Sequence, residues 1–112
     1  MAISTRELNL PLGLPGRSTS TVDTVVVPNV AADIITGDVD VITMIFTNIT
    51  ASDATITLLD NNGKSFVFYN TVVSPGFPLM FEKPGGLRCT GALNWVCNTL
   101  NAVEGKIEYK LA

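Results

Sequence analysis

Short strand patterns, separated by strong turn signals, run from about Asp38 to the last residue, and this feature constrains the fold more than any other. Turn-forming residues such as Asn62-Gly63 and Pro84-Gly85-Gly86 recur too closely to leave room for the long crossovers that a parallel sheet needs. No segment shows the apolar period of an amphipathic helix. The sequence therefore predicts an all-β domain of seven or eight short antiparallel strands, arranged as a β-sandwich or a jelly roll.

Alternating or β-branched runs between turn residues locate the strand candidates. These candidates are residues 21–27, 39–49, 54–59, 66–73, 78–82, 87–90, 94–99 and 105–111. The 78–82 segment is an edge candidate because an edge tolerates proline, and Asp60-Asn61-Asn62-Gly63 predicts a type I′ hairpin. Residues 29–38 are compatible with a short helical turn or a loop.

The 39–49 segment carries apolar residues on both of its alternating faces. The odd-numbered positions from Val39 form one face, and Ile42, Met44 and Phe46 form the other. A strand that is apolar on both sides is typical of the centre of a sheet. We expect one face to meet the domain core, and Ile42, Met44 and Phe46 to form an interface with sister subunits.

The length and composition of the chain favour one domain with more apolar surface than its own core can bury. A chain of 112 residues is one domain, and 46% of its residues are hydrophobic while only 15% are charged, against about a quarter charged in typical domains. The excess apolar surface predicts contact with another protein or another copy. A net charge of −3 with scattered cations argues against nucleic-acid binding. No apolar run approaches the ~20 residues of a membrane span, and the first residues lack signal-peptide character, so we expect cytoplasmic synthesis.

Residues 1–20 differ in composition from the rest and predict an extended N-terminal arm ahead of a β domain at 21–112. The arm has four leucines interleaved with proline and glycine, which disfavour both helix and central strand. The leucines are Leu8, Leu10, Leu12 and Leu14. A solvated linker would not need them, so we expect them to bind a partner surface; a flexible tail is the alternative.

Cys89 and Cys97 are the only cysteines. If 86–90 and 95–99 form a hairpin centred near Leu93, the two sulfurs face each other across the ladder, within disulfide reach if the pair is not hydrogen-bonded. We favour the other interpretation, in which both are small buried hydrophobic residues that stay reduced in a cytoplasm. Two thiolates without histidine do not complete a zinc site.

The absence of histidine excludes the usual nucleophile–base pairs of Ser-His-Asp and Cys-His enzymes. Most carboxylates lie at turns or at strand positions that are predicted to face outward. The sequence therefore indicates no pair of carboxylates for sugar hydrolysis. Asp33, Asp38 and Asp40 cluster as calcium ligands would, but their spacing fits no calcium loop, and a solvated corner explains them. We therefore expect no enzyme, no cofactor and no small-molecule substrate.

Aromatic residues offer one further site. Trp95 with Phe77 and Tyr69 would make a sugar-stacking platform if the three were exposed together. A lone tryptophan in a β domain is more often part of a core or an interface. The platform therefore remains the alternative.

The C-terminal part of the chain, from Phe46 to Ala112, resembles small virion proteins of tailed bacteriophages in its succession of turns and hydrophobic residues. The segments that carry the resemblance are 47–50, 54–60 with Gly63, 73–76, 81–87 and 103–109. The arm and the two cysteines are not part of the shared pattern.

The resemblance implies a non-enzymatic β-sandwich attached to a capsid or neck, often as a homotrimer, in a virion assembled in the host cytoplasm. Capsid decoration (cement) proteins of this kind commonly reach neighbouring subunits through an extended N-terminal arm. The first hypothesis is therefore a decoration protein whose partners are the major capsid protein and itself. The alternatives are a carbohydrate- or receptor-binding module of a fibre, and a head–tail joining protein.

Overall fold

Eight strands and no helix make up residues 20–112, which are the residues that the computed structural model describes. The strands are β1 (Thr21–Val26), β2 (Ala32–Thr36), β3 (Val39–Asn48), β4 (Ala54–Leu59), β5 (Thr71–Val73), β6 (Leu79–Cys89), β7 (Ala92–Cys97) and β8 (Val103–Leu111). The expectations for Leu8, Leu10, Leu12 and Leu14 lie outside the described residues.

The strands form two four-stranded antiparallel sheets, with orders β1-β8-β3-β6 (sheet A) and β2-β7-β4-β5 (sheet B). Every connection except β4–β5 passes from one sheet to the other. These strand orders are those of a jelly roll, in which two sheets face each other across one core. The all-β prediction, with its antiparallel sheets and eight strands, is confirmed.

The core lies between the sheets, and it is built from the alternate residues of each strand whose side chains point inward. β4 shows this simply, because Ala54, Ile56 and Leu58 are buried while the residues between them are partly exposed. At the centre Phe46 from sheet A and Trp95 from sheet B pack edge to face, with ring centroids 4.9 Å apart. Aromatic pairs favour this geometry, which fixes the two sheets against each other.

A β-bulge in β3 changes which residues of that strand face the core. Ile42 is the extra residue, because the ladder with β8 passes from Val41 directly to Thr43. A bulge reverses the parity of the residues after it. As a result Met44 and Phe46 are completely buried within the protein, and only Ile42 remains partly exposed. The predicted oligomer interface of Ile42, Met44 and Phe46 is therefore wrong for its two larger members.

The predicted break at Pro84-Gly85-Gly86 lies inside a strand. Val41 of β3 pairs with Leu87 of β6 and Thr43 pairs with Glu82, so residues 83–86 bulge outward opposite a single residue. Because β6 is a sheet edge, the proline there interrupts no second ladder. The edge predicted at 78–82 is the first part of this longer strand.

The predicted cysteine hairpin is wrong. Cys89 ends β6 in sheet A and Cys97 ends β7 in sheet B, and both thiols are free and buried. The chain changes sheets between them at Gly91, which has a φ of 82° and donates its N–H to Asp38 Oδ1 at 2.7 Å. The cysteines therefore do not pair and behave as small hydrophobic residues.

One predicted loop and one predicted strand also differ from expectation. Residues 29–38 contain the strand β2. The strand predicted at 66–73 is reduced to Thr71–Val73, because Val67 and Asn70 take left-handed backbone conformations, with φ of 65° and 47°.

The turn at 60–63 lies where it was predicted, but it is of another type. Gly63 is its only residue with positive φ, whereas a type I′ turn needs two. Gly63 N–H donates to Asp60 O at 3.1 Å, and Asp60 N–H donates to Lys64 O at 2.9 Å. The arrangement is that of a type I turn followed by a left-handed glycine.

Candidate functional site

Four loops meet at one end of the jelly roll, and we call this surface the apolar end. They are the connections after β1, β3, β5 and β7, at residues 27–31, 49–53, 74–78 and 98–102. Backbone hydrogen bonds join them, from Ile49 N–H to Ala102 O at 2.9 Å and from Cys97 N–H to Pro28 O at 2.8 Å. The antiparallel order of the strands therefore brings four distant parts of the chain to one surface.

Each of these loops exposes one large apolar side chain. Val30, Ile49, Phe77 and Leu100 are 71%, 56%, 76% and 61% exposed. Single exposed hydrophobic residues are ordinary, but four on four adjoining loops indicate a contact surface. Asp53 is the only charged residue in the four loops.

The opposite end of the sandwich has a different character. Its connections carry Asp38, Asp60 and Lys64, and they are rich in glycine and asparagine. The two ends therefore differ in charge: the apolar end carries one charged residue, while the opposite end carries three and also exposes Val67 and Tyr69 on the β4–β5 connection.

Asn48, the one buried polar residue among those described, organises the apolar end from beneath. Its side-chain amide donates to Ser52 O at 2.7 Å and to Val73 O at 2.8 Å. Its Oδ1 accepts from the Thr50 N–H at 2.8 Å and the Thr50 hydroxyl at 2.7 Å. All four hydrogen-bonding positions of the amide are used, and the β3–β4 loop is fixed to the end of β5.

Phe77 is held on a tight turn. Its N–H donates to Ser74 O at 3.1 Å, with Pro75 and Gly76 in the central positions and Gly76 at a φ of 80°. Proline followed by a left-handed glycine is the pattern of a type II turn. The most exposed aromatic ring of the described residues is therefore presented on a conformationally restricted backbone, which lowers the entropy lost on binding.

The structure does not bring the sugar-platform residues together. Trp95 is fully buried, while Phe77 lies at the apolar end and Tyr69 is exposed on the β4–β5 connection. A stacking platform that includes Trp95 is therefore wrong, and its role in the core is confirmed.

The aspartates of the candidate calcium cluster each have a separate partner. Asp33 accepts from Asn94 at 3.2 Å, while Asp40 accepts from Arg88 at 2.6 Å, and Asp38 accepts from the Gly91 N–H at the β6–β7 corner. Within residues 20–112, no group of three potential ligands could hold a metal ion. Only Asp38 lies at a corner, between β2 and β3, while Asp33 belongs to β2 and Asp40 to β3.

The pKa values of three side chains are shifted by their local surroundings. The Arg88 hydrogen bond lowers the pKa of Asp40, and the same contact raises the pKa of Arg88. Burial raises the pKa of the Cys89 thiol to about 11. A thiol with this pKa is protonated at neutral pH and is a poor nucleophile.

The sequence does not predict the apolar end, although a signal is present. The prediction places Ile49 in the 39–49 strand and Phe77 in the sugar platform, and it gives Val30 and Leu100 no role. In the structure all four residues stand among turn-forming or polar residues, outside the strands. A large apolar residue in such a position has no strand face through which to reach the core. What the sequence does not show is that these four positions share one end, because that depends on the crossings between sheets.

No protein-family model, no curated protein and no solved structure matches the chain. Among residues 20–112, no helix is long and apolar enough to cross a membrane. The description of the surface therefore depends on the geometry of this chain itself.

Proposed function

We propose that this protein is a non-enzymatic structural component of a bacteriophage virion, most specifically a capsid decoration protein that attaches to the major capsid protein through its apolar end. The observation that carries the proposal is the grouping of Val30, Ile49, Phe77 and Leu100 on four loops with a single charged neighbour, Asp53. A surface of this kind is complementary to an uncharged apolar patch on another protein.

The size of the apolar end suits a contact of moderate strength. Full burial of one such side chain contributes about 1.5–3 kcal/mol. Ordering entropy and lost rigid-body freedom offset part of this gain. Because the loops are tied together by Asn48 and by the type II turn, little further ordering is needed on binding.

The fold agrees with the proposal without deciding it. Jelly rolls occur in viral capsid proteins and also in lectins, and a fold does not fix a function. The burial of Trp95 disfavours the sugar-binding alternative, because it removes the tryptophan on which that alternative depended. The head–tail joining alternative differs in stoichiometry, and imaging of bound particles separates it.

The other elements of the proposal come from the resemblance to phage virion proteins. It supplies the location in the virion, the assembly in the host cytoplasm, the self-association as a homotrimer and the second anchor formed by the N-terminal arm. Residues 1–19 of that arm lie outside the described part, so the apolar end is the anchor that geometry supports.

Co-sedimentation with shells assembled from the major capsid protein of the same particle tests the proposal. We expect the full chain to pellet with shells, and Leu100→Ser together with Phe77→Ser to weaken binding at least tenfold. Leu111→Ser is the matched control for Leu100→Ser, because both leucines are 61% exposed and Leu111 ends β8 at the opposite end of the sandwich. Circular dichroism and thermal unfolding verify that each variant is folded.

Each outcome has a distinct meaning. Failure of the unmodified chain to bind shells would contradict the decoration role. If the double variant binds shells as well as the Leu111→Ser control, the attachment site lies elsewhere than the apolar end. Electron cryo-microscopy of bound particles should show density across the shell, whereas density at one vertex would indicate a joining protein.

A further inference from the structure

The four edges of the two sheets are not equally protected against pairing with another strand. β6 carries the bulge at 83–86, with a lysine and a proline in it. β5 has only three residues, and β2 is interrupted by a register shift next to Asp33. Bulges, short length, charge and proline are the usual means by which edge strands avoid association.

Within residues 20–112, β1 has none of this protection. It is six residues long, pairs with β8 without a register shift, and contains neither lysine, arginine nor proline. Its one charged residue, Asp23, accepts a hydrogen bond from the Tyr109 hydroxyl at 2.9 Å. The edge of β1 is thus a regular template for one more strand.

The hydrogen-bonding direction of β1 identifies the groups that are open. Val27 N–H donates to Val103 O at 2.8 Å, so the odd-numbered residues of this segment direct their backbone groups toward β8. In an antiparallel ladder the residues between them direct theirs to the other side. The open groups therefore belong to Val22, Thr24 and Val26, whose side chains are all exposed on the outer face of sheet A.

This open edge is the same when read in either direction. Valine, threonine and valine at positions 22, 24 and 26 form a sequence that is symmetric about Thr24. An isologous contact between two copies requires a surface that is complementary to itself under a twofold rotation. A twofold contact centred on Thr24 therefore brings only uncharged side chains together on the outer face and places no carboxylate opposite another, which favours a second copy of this chain as the occupant of the edge.

We propose that β1 pairs antiparallel with β1 of a second copy, with the twofold axis at Thr24, so that the two copies of sheet A join into one continuous sheet. Val22 then stands opposite Val26 of the partner, and Asp23 opposite Val25. The three open residues of each copy exchange about six N–H···O bonds in total. The pairing is independent of attachment at the apolar end. It replaces the homotrimer that the phage resemblance implies, and the mass in solution distinguishes the two assemblies while leaving the shell-binding test unaffected.

Other registers are less favourable. Centring the pair on Asp23 would place two carboxylates opposite each other, which destabilises a cross-strand pair. A slip of one residue would turn the outer face of one copy toward the core side of the other. Only the Thr24 register uses all three open residues and keeps the outer faces together.

The mass of the full chain in solution is the first test. Light scattering or sedimentation should give a dimer, twice the 11.9 kDa of the chain. Thr24→Lys should weaken dimerisation at least tenfold, because two like charges meet at the axis. Thr47→Lys is the control, because Thr47 is exposed on the same face but on the central strand β3; it should leave the dimer intact. A monomer at high micromolar concentration, a trimer, or a dimer that resists Thr24→Lys would overturn the proposal.

Cysteine cross-linking tests the register directly. Residues that exchange both hydrogen bonds have Cα atoms about 5.5 Å apart, which is within disulfide reach. Under mild oxidation Thr24→Cys should give a covalent dimer. Val22→Cys and Val26→Cys should cross-link when mixed but not separately. If Thr24→Cys stays uncross-linked while the edge amides resist hydrogen exchange, another segment such as the arm occupies the edge, and the proposal fails.

Discussion

The indole of Trp95 in sheet B packs directly against the backbone of Gly105 in sheet A. A Cβ atom at position 105 would lie 2.5 Å from Cζ3 and 2.7 Å from Cη2 of that ring, and 2.9 Å from Cε1 of Phe46. The Trp95 and Phe46 rings also contact each other, so neither has free space to move into. Glycine at this position is what allows the two sheets to approach closely at the centre of the core.

Gly105→Ala should therefore destabilise the protein through overpacking, by about 1–3 kcal/mol or more. For a domain near this size, each kcal/mol lowers the melting temperature by about 4–8 °C. Urea and thermal unfolding measure the change. Gly85→Ala is the control, because a Cβ there meets nothing within 4 Å and the residue lacks a positive φ.

The contact with Trp95 can be separated from a backbone effect. In a Trp95→Phe background the smaller ring leaves room for the added methyl group, so Gly105→Ala should cost less there than in the original chain. A double-mutant cycle measures this coupling. If the cost is the same in both backgrounds, steric contact with the indole is not its cause.

Removing the Asn48 amide should destabilise the apolar end. In Asn48→Ala the carbonyls of Ser52 and Val73 lose their donor, and leaving a buried polar group unpaired costs about 1–3 kcal/mol. Urea unfolding measures the loss, and Asn29→Ala, at an exposed loop position, is the control.

Asn48→Asp separates hydrogen bonding from shape. The carboxylate keeps the size of the side chain but presents acceptors to two carbonyl oxygens. It should be at least as unstable as the alanine variant at pH 7 and should recover partly in acid, where a protonated carboxyl supplies one donor. If Asn48→Asp is as stable as the original chain at pH 7, shape alone matters at this position.

The sequence predicts a strand correctly when its alternation of apolar and polar residues depends on that strand alone and not on its pairing with distant strands. β4 is located residue for residue, because its alternation at 54–59 is uninterrupted and a strong turn follows. The facing of β3 is predicted wrongly, because the bulge at Ile42 arises from pairing with β6 and β8, which lie far away in sequence.

The prediction of the cysteine hairpin fails for a related reason. A short link between two strand patterns predicts a hairpin in a simple meander, but in a jelly roll the same link changes sheets, as Gly91 does between β6 and β7. The apolar end follows from those crossings, so its residues are visible in the sequence while their meeting is not. The edge of β1 is the opposite case, because its symmetry about Thr24 can be read directly.

The ion pair of Asp40 and Arg88 should give a small, pH-dependent contribution to stability. Its atoms Oδ1 and Nε are 2.6 Å apart on a partly exposed surface. Because the Arg88 hydrogen bond lowers the pKa of Asp40 in the folded protein, the contribution is complete above the unfolded pKa of about 4 and is lost as the pH falls through the lower, folded value.

Arg88→Met tests this dependence. The variant should be less stable than the original chain at pH 7, and the difference should shrink in acid and in high salt. Urea unfolding between pH 7 and pH 2.5 measures it. Lys83→Met, which removes the same charge from an exposed position of β6, is the control and should not show the same pH dependence; a parallel loss in both variants would assign the effect to net charge.

Neither cysteine should react with a thiol reagent while the protein is folded. Cys89 and Cys97 are both 1% exposed, and burial raises the pKa of Cys89 to about 11, so thiolate is scarce at pH 8. Labelling with an aromatic disulfide reagent should proceed at the rate of unfolding and rise with urea, while Thr99→Cys, at an exposed position of the apolar end, should add one rapidly reacting thiol.

The raised pKa of Cys89 also implies that the free energy of unfolding is constant below the unfolded pKa of about 8.5–9 and falls as the pH rises toward 11. Rapid reaction of either native cysteine in the folded chain, or a disulfide between them after mild oxidation, would contradict their separate burial in the two sheets.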